Sequence, residues 1–272
     1  MCIVSKEAKL SKTRILSMAL DNGNHLLAYS NKVENTSGKQ NSMILAVPGE
    51  LRQEWFMDTS DYNKFLKEIE DQAHLDFSRS LGMRSKGFER FKVGMYNVLI
   101  TNDIEELFIE RYDSSVDLEL ISEELKNFFK TQYKGWSFVI CVFDGNEVME
   151  SQPIAFQFKP FNYKWLYFPT MDSHSGRAPD LNEMVHMDHT LIYEYPGLME
   201  RVVMNNGVKF SQEVPEILKR RNYVATKWKG SHKNGDMYLD FEQLQKITKD
   251  QTICYNGFKR LSSHPETKSL VA

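Results

Sequence analysis

Residues 136–143 read Trp-Ser-Phe-Val-Ile-Cys-Val-Phe, the strongest strand pattern in the 272-residue chain. Apolar side chains fall on both faces of this stretch, which is typical of a strand in the middle of a sheet. Cys141 lies inside it, which indicates a core cysteine rather than a reactive one. The chain is therefore expected to build its core around a sheet with this strand in its interior.

Further strands are predicted towards the N-terminus. Residues 13–20 and 25–33 flank an Asn-Gly turn at positions 22 and 23, the signature of a hairpin. Residues 42–47 form a short apolar run that ends at Pro48-Gly49 and suits a buried strand.

Helical spacing of apolar residues recurs between 62 and 73 and between 118 and 133. Strands that pair as hairpins, with helices set apart from them, favour an α+β fold over an alternating one. We expect a largely antiparallel or mixed sheet with helices packed on it. One compact domain over 1–272 is expected, with a softer subdivision near 200–215.

Composition limits the class of protein. Hydrophobic residues make up 41% and charged residues 26%, with a net charge of -3, as in an ordinary soluble protein. No apolar run approaches the ~18 residues of a membrane span, and the first residues lack the apolar region of a signal peptide. Three widely separated cysteines, Cys2, Cys141 and Cys254, do not form a disulfide framework. A cytoplasmic location and no membrane partner are expected.

Residues 168–193 concentrate the groups that transfer protons or bind metals: Asp172, His174, His186, Asp188 and His189. If the second half of this segment is a strand, His189 lies on its more apolar face, whereas His186 and Asp188 share the other. An alternative is a capping box at residues 180–183, which would begin a helix with His186 and His189 on one face.

These residues are open to three interpretations. His174, His186 or His189 with a carboxylate could bind zinc or non-haem iron, although the spacing is not that of a known protease motif. One histidine could be a general acid or base. All three could also be ordinary core and loop histidines. No cofactor is predicted.

Cys2 follows the initiator methionine directly. A small second residue permits removal of Met1, which would leave a free α-amine beside the thiol. That amine can serve as base for its own side chain. Cys2 is therefore a candidate N-terminal nucleophile, the alternative being a small residue of no special role.

The sequence shows two resemblances to known families. The Met-Cys start resembles the N-terminal-nucleophile hydrolases of the choloylglycine hydrolase and penicillin V acylase type, which also carry an arginine near the nucleophile. That resemblance implies a role for Arg14. The chain is also similar to a widespread uncharacterised protein family that starts Met-Cys and contains Pro-Thr-x-His-x-His. The similarity rests on four boxes: Tyr29-Ser30-Asn31-Lys32, Asn41-Ser42-Met43-Ile44-Leu45-Ala46-Val47-Pro48, Phe168-Pro169-Thr170 and Asp188-His189-Thr190-Leu191.

Asp172 departs from the second pattern, because a histidine would stand at its position. That departure weakens the case for a metal site. This family implies no activity.

Charge is distributed unevenly along the chain. Residues 101–126 carry nine Asp/Glu against two Lys/Arg, and residues 209–233 carry seven Lys/Arg against two Glu. Such faces could engage a partner. For the basic segment, a solvated surface is the preferred interpretation over a nucleic-acid contact. The basic patch consists of Lys219, Arg220, Arg221, Lys227 and Lys229.

The leading hypothesis is a cysteine-dependent hydrolase or transferase acting on an amide or thioester, in a small molecule or a protein. Cys2 is its nucleophile, His189 or His174 carries the proton, and Asp188 or Asp172 orients the histidine. The rival from another class is a non-catalytic protein-binding module that uses the acidic and basic faces.

Overall fold

The computed structural model describes residues 3–73, 92–93, 96–105, 121–143, 148–194, 207–219, 221–240 and 258–261. Sixteen strands and two α-helices lie within these ranges. The strands are β1 (Ile3–Val4), β2 (Ala8–Ala19), β3 (His25–Asn35), β4 (Asn41–Val47), β5 (Gly49–Glu50), β6 (Phe56–Met57), β7 (Lys92–Val93), β8 (Tyr96–Thr101), β9 (Ser137–Phe143), β10 (Met149–Glu150), β11 (Ile154–Pro160), β12 (Trp165–Phe168), β13 (Met184–Glu194), β14 (Tyr223–Lys233), β15 (Met237–Asp240) and β16 (Phe258–Arg260). The helices are α1 (Phe65–Ala73) and α2 (Glu123–Gln132). Short 3-10 turns occupy Gln53–Trp55, Ser60–Tyr62 and Glu216–Leu218.

The strands of the described ranges form three sheets. The first sheet has the order β1-β4-β9-β8-β7, with β9 at its centre as its two apolar faces predict. The long sheet has the order β14-β13-β2-β3-β11-β5, with β10 on β3 and β6 on β11. The small sheet has the order β12-β15-β16. Within the described ranges, every pairing between two strands is antiparallel except that of β13 with β2, so the expectation of largely antiparallel or mixed sheets is confirmed.

Alternation along the strands explains how the sheets are stacked. In β4, Met43 and Leu45 enter a core shared with the inner face of the long sheet, whereas Ile44 points to the opposite side. There Ile44 shares an apolar cluster with Leu125 and Phe129 of α2. The first sheet is thus buried on both faces, between the long sheet and α2.

The outer face of the long sheet is covered by α1. Phe65, Leu66 and Ile69 of this helix share an apolar cluster with Leu16 and Met18 of β2. The resulting order is helix, sheet, sheet, helix. The protein contains more strand and less helix than a balanced α+β protein.

A β-bulge divides β2 into two parts. Ser11 pairs with Lys32 and Arg14 with Ser30, so two residues of β2 oppose one of β3. Lys12, within the bulge, has φ 52°, in the left-handed region. Ala8 and Leu10 face the inner core before the bulge, and Thr13 would face outward without it. The extra residue instead turns Arg14 to the outer face.

Residues 180–183 do not begin a helix. The amide of Asn182 donates to Asp180 Oδ1 at 2.8 Å in a tight turn, and β13 begins at Met184. The strand alternative for the histidine segment is therefore correct and the capping-box alternative is wrong. Among the described helices, none is long and apolar enough to cross a membrane.

Candidate functional site

The start of the chain lies against the histidine segment. Ile3 forms a parallel bridge with Ser173, and the amide of Val4 donates to Ser173 O at 3.0 Å. The amide of Ala8 donates to His174 O, also at 3.0 Å. On its other side β1 pairs with β4. Strand β1 is therefore held between β4 and the loop that follows β12.

A buried carboxylate fixes the front of that loop. Asp236 is 1% exposed and accepts hydrogen bonds from the hydroxyls of Tyr133 (2.6 Å) and Tyr167 (2.8 Å). Its other oxygen accepts from the amides of Thr170 (2.9 Å) and Met171 (2.8 Å). Four donors thus converge on one group: one from the end of α2, one from β12 and two from the loop. Together they set the path of the loop.

Asn234 holds the next residue of the loop, Asp172. Its Oδ1 accepts from the amide of Asp172 at 2.8 Å, and its Nδ2 donates to Asp172 O at 2.7 Å. Asn234 is fully buried. Both backbone groups of Asp172 are satisfied by one side chain, so the carboxylate of Asp172 has a defined starting direction.

The back of the loop requires a glycine. Gly176 has φ +74°, and a Cβ there would meet Ser5 O at 2.5 Å. Ser122, the N-cap of α2, donates to Gly176 O at 3.1 Å. Contacts with β1, α2 and the Asn234–Asp236 turn therefore hold the loop from three sides.

Asp172 and His174 form a close pair within this loop. His174 Nε2 lies 3.1 Å from Asp172 Oδ1, and the two side chains are 25% and 11% exposed. Burial raises the pKa of Asp172 to about 6 and lowers the pKa of His174 to about 4. At neutral pH the imidazole is uncharged, and the carboxylate 3.1 Å away would stabilise an imidazolium formed by proton transfer.

His189 lies elsewhere. It is fully buried in the long sheet, in register with Thr13 of β2 and Trp228 of β14. Neither ring nitrogen of His189 has a hydrogen-bond partner among the described residues. The bridge that holds Ile3 involves Ser173 and not β13. The structure therefore brings the loop of His174, rather than His189, to β1.

Asp188 does not orient His189, because neighbouring residues of a strand point to opposite faces. Its carboxylate accepts from the amide of Lys12 at 3.2 Å and pairs with Lys229 Nζ at 2.9 Å. The hydrogen bond from Lys229 lowers the pKa of Asp188. Asp188 therefore holds the bulge of β2 and stays charged.

The metal candidates do not converge. His174 lies in the loop, His186 is exposed, and His189 points into the inner core from the opposite face of β13. Within the described ranges no group of three His, Cys, Asp or Glu side chains could hold a metal ion. The same three histidines therefore have three separate environments.

Arg14 forms an ion-pair cluster on the outer face of the long sheet. Its Nε lies 2.6 Å from Glu70 Oε2 of α1, and its Nη1 lies 2.9 Å from Glu150 Oε1. Thr190 donates to the other oxygen of Glu70 at 2.6 Å. Burial opposes the charge of Arg14, but Glu70 and Glu150 outweigh it and raise the pKa of Arg14.

Glu70 responds in the same way. Burial opposes its ionisation, yet the hydrogen bonds from Thr190 and Arg14 outweigh burial, and the pKa of Glu70 is lowered. The cluster is therefore a stable set of charges. The structure does not place Arg14 beside the loop that meets β1.

The charged segments are largely paired locally where they are described. Lys219 pairs with Glu216 at 2.7 Å, and Arg221 pairs with Glu194 at 3.2 Å. Lys229 pairs with Asp188. Arg220 and residues 106–120 of the acidic segment lie outside the described residues. Cys2 and Cys254 also lie outside them, whereas Cys141 is buried in β9 as predicted.

Sequence reasoning missed Asn234, Asp236 and Glu70. A signal existed for the first two, because Asn-Gly-Asp at 234–236 is a turn motif with two side chains that bond to backbone. Glu70 offered no signal, since one glutamate on a helix resembles any other until the sheet beneath it is known.

Comparison with known proteins found weak structural similarity to solved structures. No family model and no curated protein matches the chain. In the crystal structure of baculovirus P35, the matched chain has 14% sequence identity to this one. The match covers 89% of this chain and 92% of that chain, with a TM-score of 0.49. The crystal structure of the caspase-8/P35 complex is also 14% identical, with 85% and 88% covered and a TM-score of 0.43. Identity and TM-score are too low for these likenesses to bear on activity.

Proposed function

We propose that this protein is a cysteine-dependent hydrolase or transferase that acts on an amide or thioester, with Cys2 as nucleophile and His174 as proton acceptor. The observation that carries the proposal is the parallel bridge between Ile3 and Ser173. Cys2 is bonded to Ile3, and consecutive Cα atoms are about 3.8 Å apart. The backbone of Ile3, to which Cys2 is bonded, therefore lies next to the loop that bears Asp172 and His174.

In the proposed chemistry, the imidazole of His174 is the proton acceptor and Asp172 is its neighbouring carboxylate. A neutral His174 takes the thiol proton, and the thiolate attacks the carbonyl carbon of the substrate. A sulfur–carbon bond forms and the bond to the amine or thiol leaving group breaks. The leaving group takes the proton from the imidazolium. Water or an acceptor nucleophile then attacks the acyl carbon and gives its proton to His174, the sulfur–carbon bond breaks, and the thiolate takes that proton back. Asp172 stabilises the imidazolium between the two proton transfers.

The α-amine of Cys2 is a second possible base if Met1 is removed. The two bases make different demands on the protein. A base at His174 works with or without Met1, whereas the amine requires its removal. Intact mass of the purified protein tests the version with the amine, because retained Met1 excludes it.

The test of the proposal is the alkylation rate of Cys2 by iodoacetamide, followed by peptide mass spectrometry. We expect Cys2 to react faster than a free cysteine at pH 7, and we expect His174→Gln to slow it at least about tenfold. His186→Gln, which removes an exposed imidazole elsewhere, is the matched control and should change nothing. A Cys2 that reacts at the free-cysteine rate, and equally in His174→Gln, would overturn the proposal.

A further inference from the structure

A cavity of about 280 Å³ opens on the outer face of the long sheet, where the chain enters α1. Buried residues form its floor: Arg14 is 6% exposed and Ser30 is 3% exposed. Its walls come from the first half of α1 and the residues just before it, and from β10 and the residues just after it. The lining includes Arg14, Ser30, Lys64, Lys67, Glu150 and Gln152.

The two acidic partners of Arg14 differ in how firmly they are held. Glu70 has a side chain that is 18% exposed, and it is fixed by Thr190 as well as by Arg14. Glu150 has a side chain that is 56% exposed, and Arg14 is its only ion-pair partner among the described residues. Because more than half of the Glu150 side chain is exposed, solvent screens this ion pair and its contribution to the free energy of unfolding is small. Glu150 can therefore leave the guanidinium while Glu70 continues to hold it.

Lysines at the rim make the cavity attractive to an anion once Glu150 has moved. Lys64 is exposed and forms no ion pair with any described residue. Lys67 pairs with Asp71 on the same helix. With Glu150 displaced, Arg14 keeps a free donor edge at the floor and Lys64 supplies an uncompensated charge above it.

We propose that this cavity is a binding site for a small carboxylate, whose carboxyl group takes the position of Glu150 on Arg14. The carboxylate of Glu150 already occupies that position, 2.9 Å from Nη1, so the geometry accommodates this group. Gln152 and Lys64 line the same cavity as Arg14 and offer polar groups to the rest of the ligand. A planar guanidinium at the base of a concave site is the usual means of orienting such ligands.

This site is independent of the proposed function. Arg14 lies on the outer face of the long sheet, whereas the Asp172–His174 pair lies where β1 meets the loop after β12. Failure of either proposal leaves the other unaffected. Binding at the cavity can be measured without any catalytic assay.

The test is titration of the full chain with acetate, succinate and citrate at constant ionic strength, followed by ¹H–¹⁵N NMR, with inorganic phosphate as the comparison anion. We expect saturable shifts for at least one carboxylate. Glu150→Gln frees the donor edge of Arg14 and should tighten binding about three- to fivefold, the range of an exposed ion pair. Lys64→Gln should weaken it about threefold.

Matched controls separate local from general charge effects. Glu34→Gln removes the same charge from the neighbouring strand β3, and Lys134→Gln removes a lysine from the turn after α2. Neither should change the affinity. All four altered side chains are at least partly exposed, so the variants should fold. The proposal is overturned if no carboxylate binds to the wild type or to Glu150→Gln, if Glu150→Gln and Glu34→Gln behave alike, or if phosphate binds more tightly than every carboxylate.

Discussion

The Arg14 cluster stabilises the charged forms of its side chains, whereas the surroundings of the Asp172–His174 pair favour the neutral forms. At Arg14 every partner stabilises the charged form, so the pKa of Arg14 is raised and that of Glu70 is lowered. At the pair, burial dominates and drives both groups toward neutrality. The first arrangement holds a fixed ion pair, whereas in the second the imidazole is uncharged at neutral pH and the carboxyl group titrates near pH 6. Burial alone therefore does not decide the role of a charged residue, and its partners do.

The largest expected effect is at the Arg14 cluster. Arg14→Gln should lower the free energy of unfolding by about 3 kcal/mol, because it leaves Glu70 charged and partly buried without its cation. Urea unfolding measures the change. Arg52→Gln, which removes an arginine from an exposed pair with Glu50, should cost less than about 1 kcal/mol. Equal losses in the two variants would show that the Arg14 cluster is no more than a surface ion pair.

The support of the Asp172–His174 loop comes next in size. Asp236→Asn should cost about 2 kcal/mol, because the amide nitrogen cannot accept from the donors that the carboxylate serves. It should also change the chemical shift of the His174 ring, since Thr170 and Met171 lose their anchor. Asp61→Asn, at an exposed position, is the control for the loss of one carboxylate. An unchanged His174 signal in Asp236→Asn would remove Asp236 from the description of the site.

The pair should give stability changes of opposite sign with pH. The pKa of Asp172 is raised from 3.8 to about 6, so the folded state holds its proton longer, and this contribution to stability is lost as pH rises from 3.8 through 6. The pKa of His174 is lowered from 6.5 to about 4, so its contribution is lost as pH falls from 6.5 through 4. Wild-type stability relative to Asp172→Asn should therefore fall between pH 4 and pH 7.

Relative to His174→Gln, wild-type stability should rise over the same interval, and each change should reach about 1–2 kcal/mol. Urea unfolding of the three proteins at pH 4, 5, 6 and 7 measures both slopes. Two flat difference curves would mean that neither group is perturbed, and the contrast with Arg14 would disappear.

The smallest expected effect concerns the bulge that separates the two regions. Lys12→Gly should stabilise the protein by about 0.5–1 kcal/mol, because Lys12 lies at φ 52° and glycine adopts this conformation without strain. Lys9→Gly, at an exposed position of the same strand, should instead destabilise it by about 0.5–1 kcal/mol. Thermal unfolding of the two variants compares them directly. A destabilised Lys12→Gly would mean that the positive φ is not what limits this position.

Strand alternation and turn chemistry predicted much of the fold. The hairpin of β2 and β3, the apolar run of β4 and the central position of β9 follow from local sequence, because each is decided by side-chain period and by residues such as Asn22-Gly23. The candidate site was predicted only as a segment. His174 and His189 were equal candidates, since nothing in a linear pattern says which of them meets the chain start.

The sequence by itself determined where strands and helices form, which side chains are apolar, and that residues 172–189 are rich in proton-transfer groups. Only the tertiary structure decided that Ser173 bridges Ile3, that His189 is enclosed in the inner core, and that the bulge at Lys12 turns Arg14 outward to meet Glu70. The physical reason is that local patterns depend on neighbours a few residues apart. Sheet pairing between residues 3 and 173, or 14 and 190, depends on the packing of the whole chain, and a single extra residue in β2 changes which face a side chain occupies.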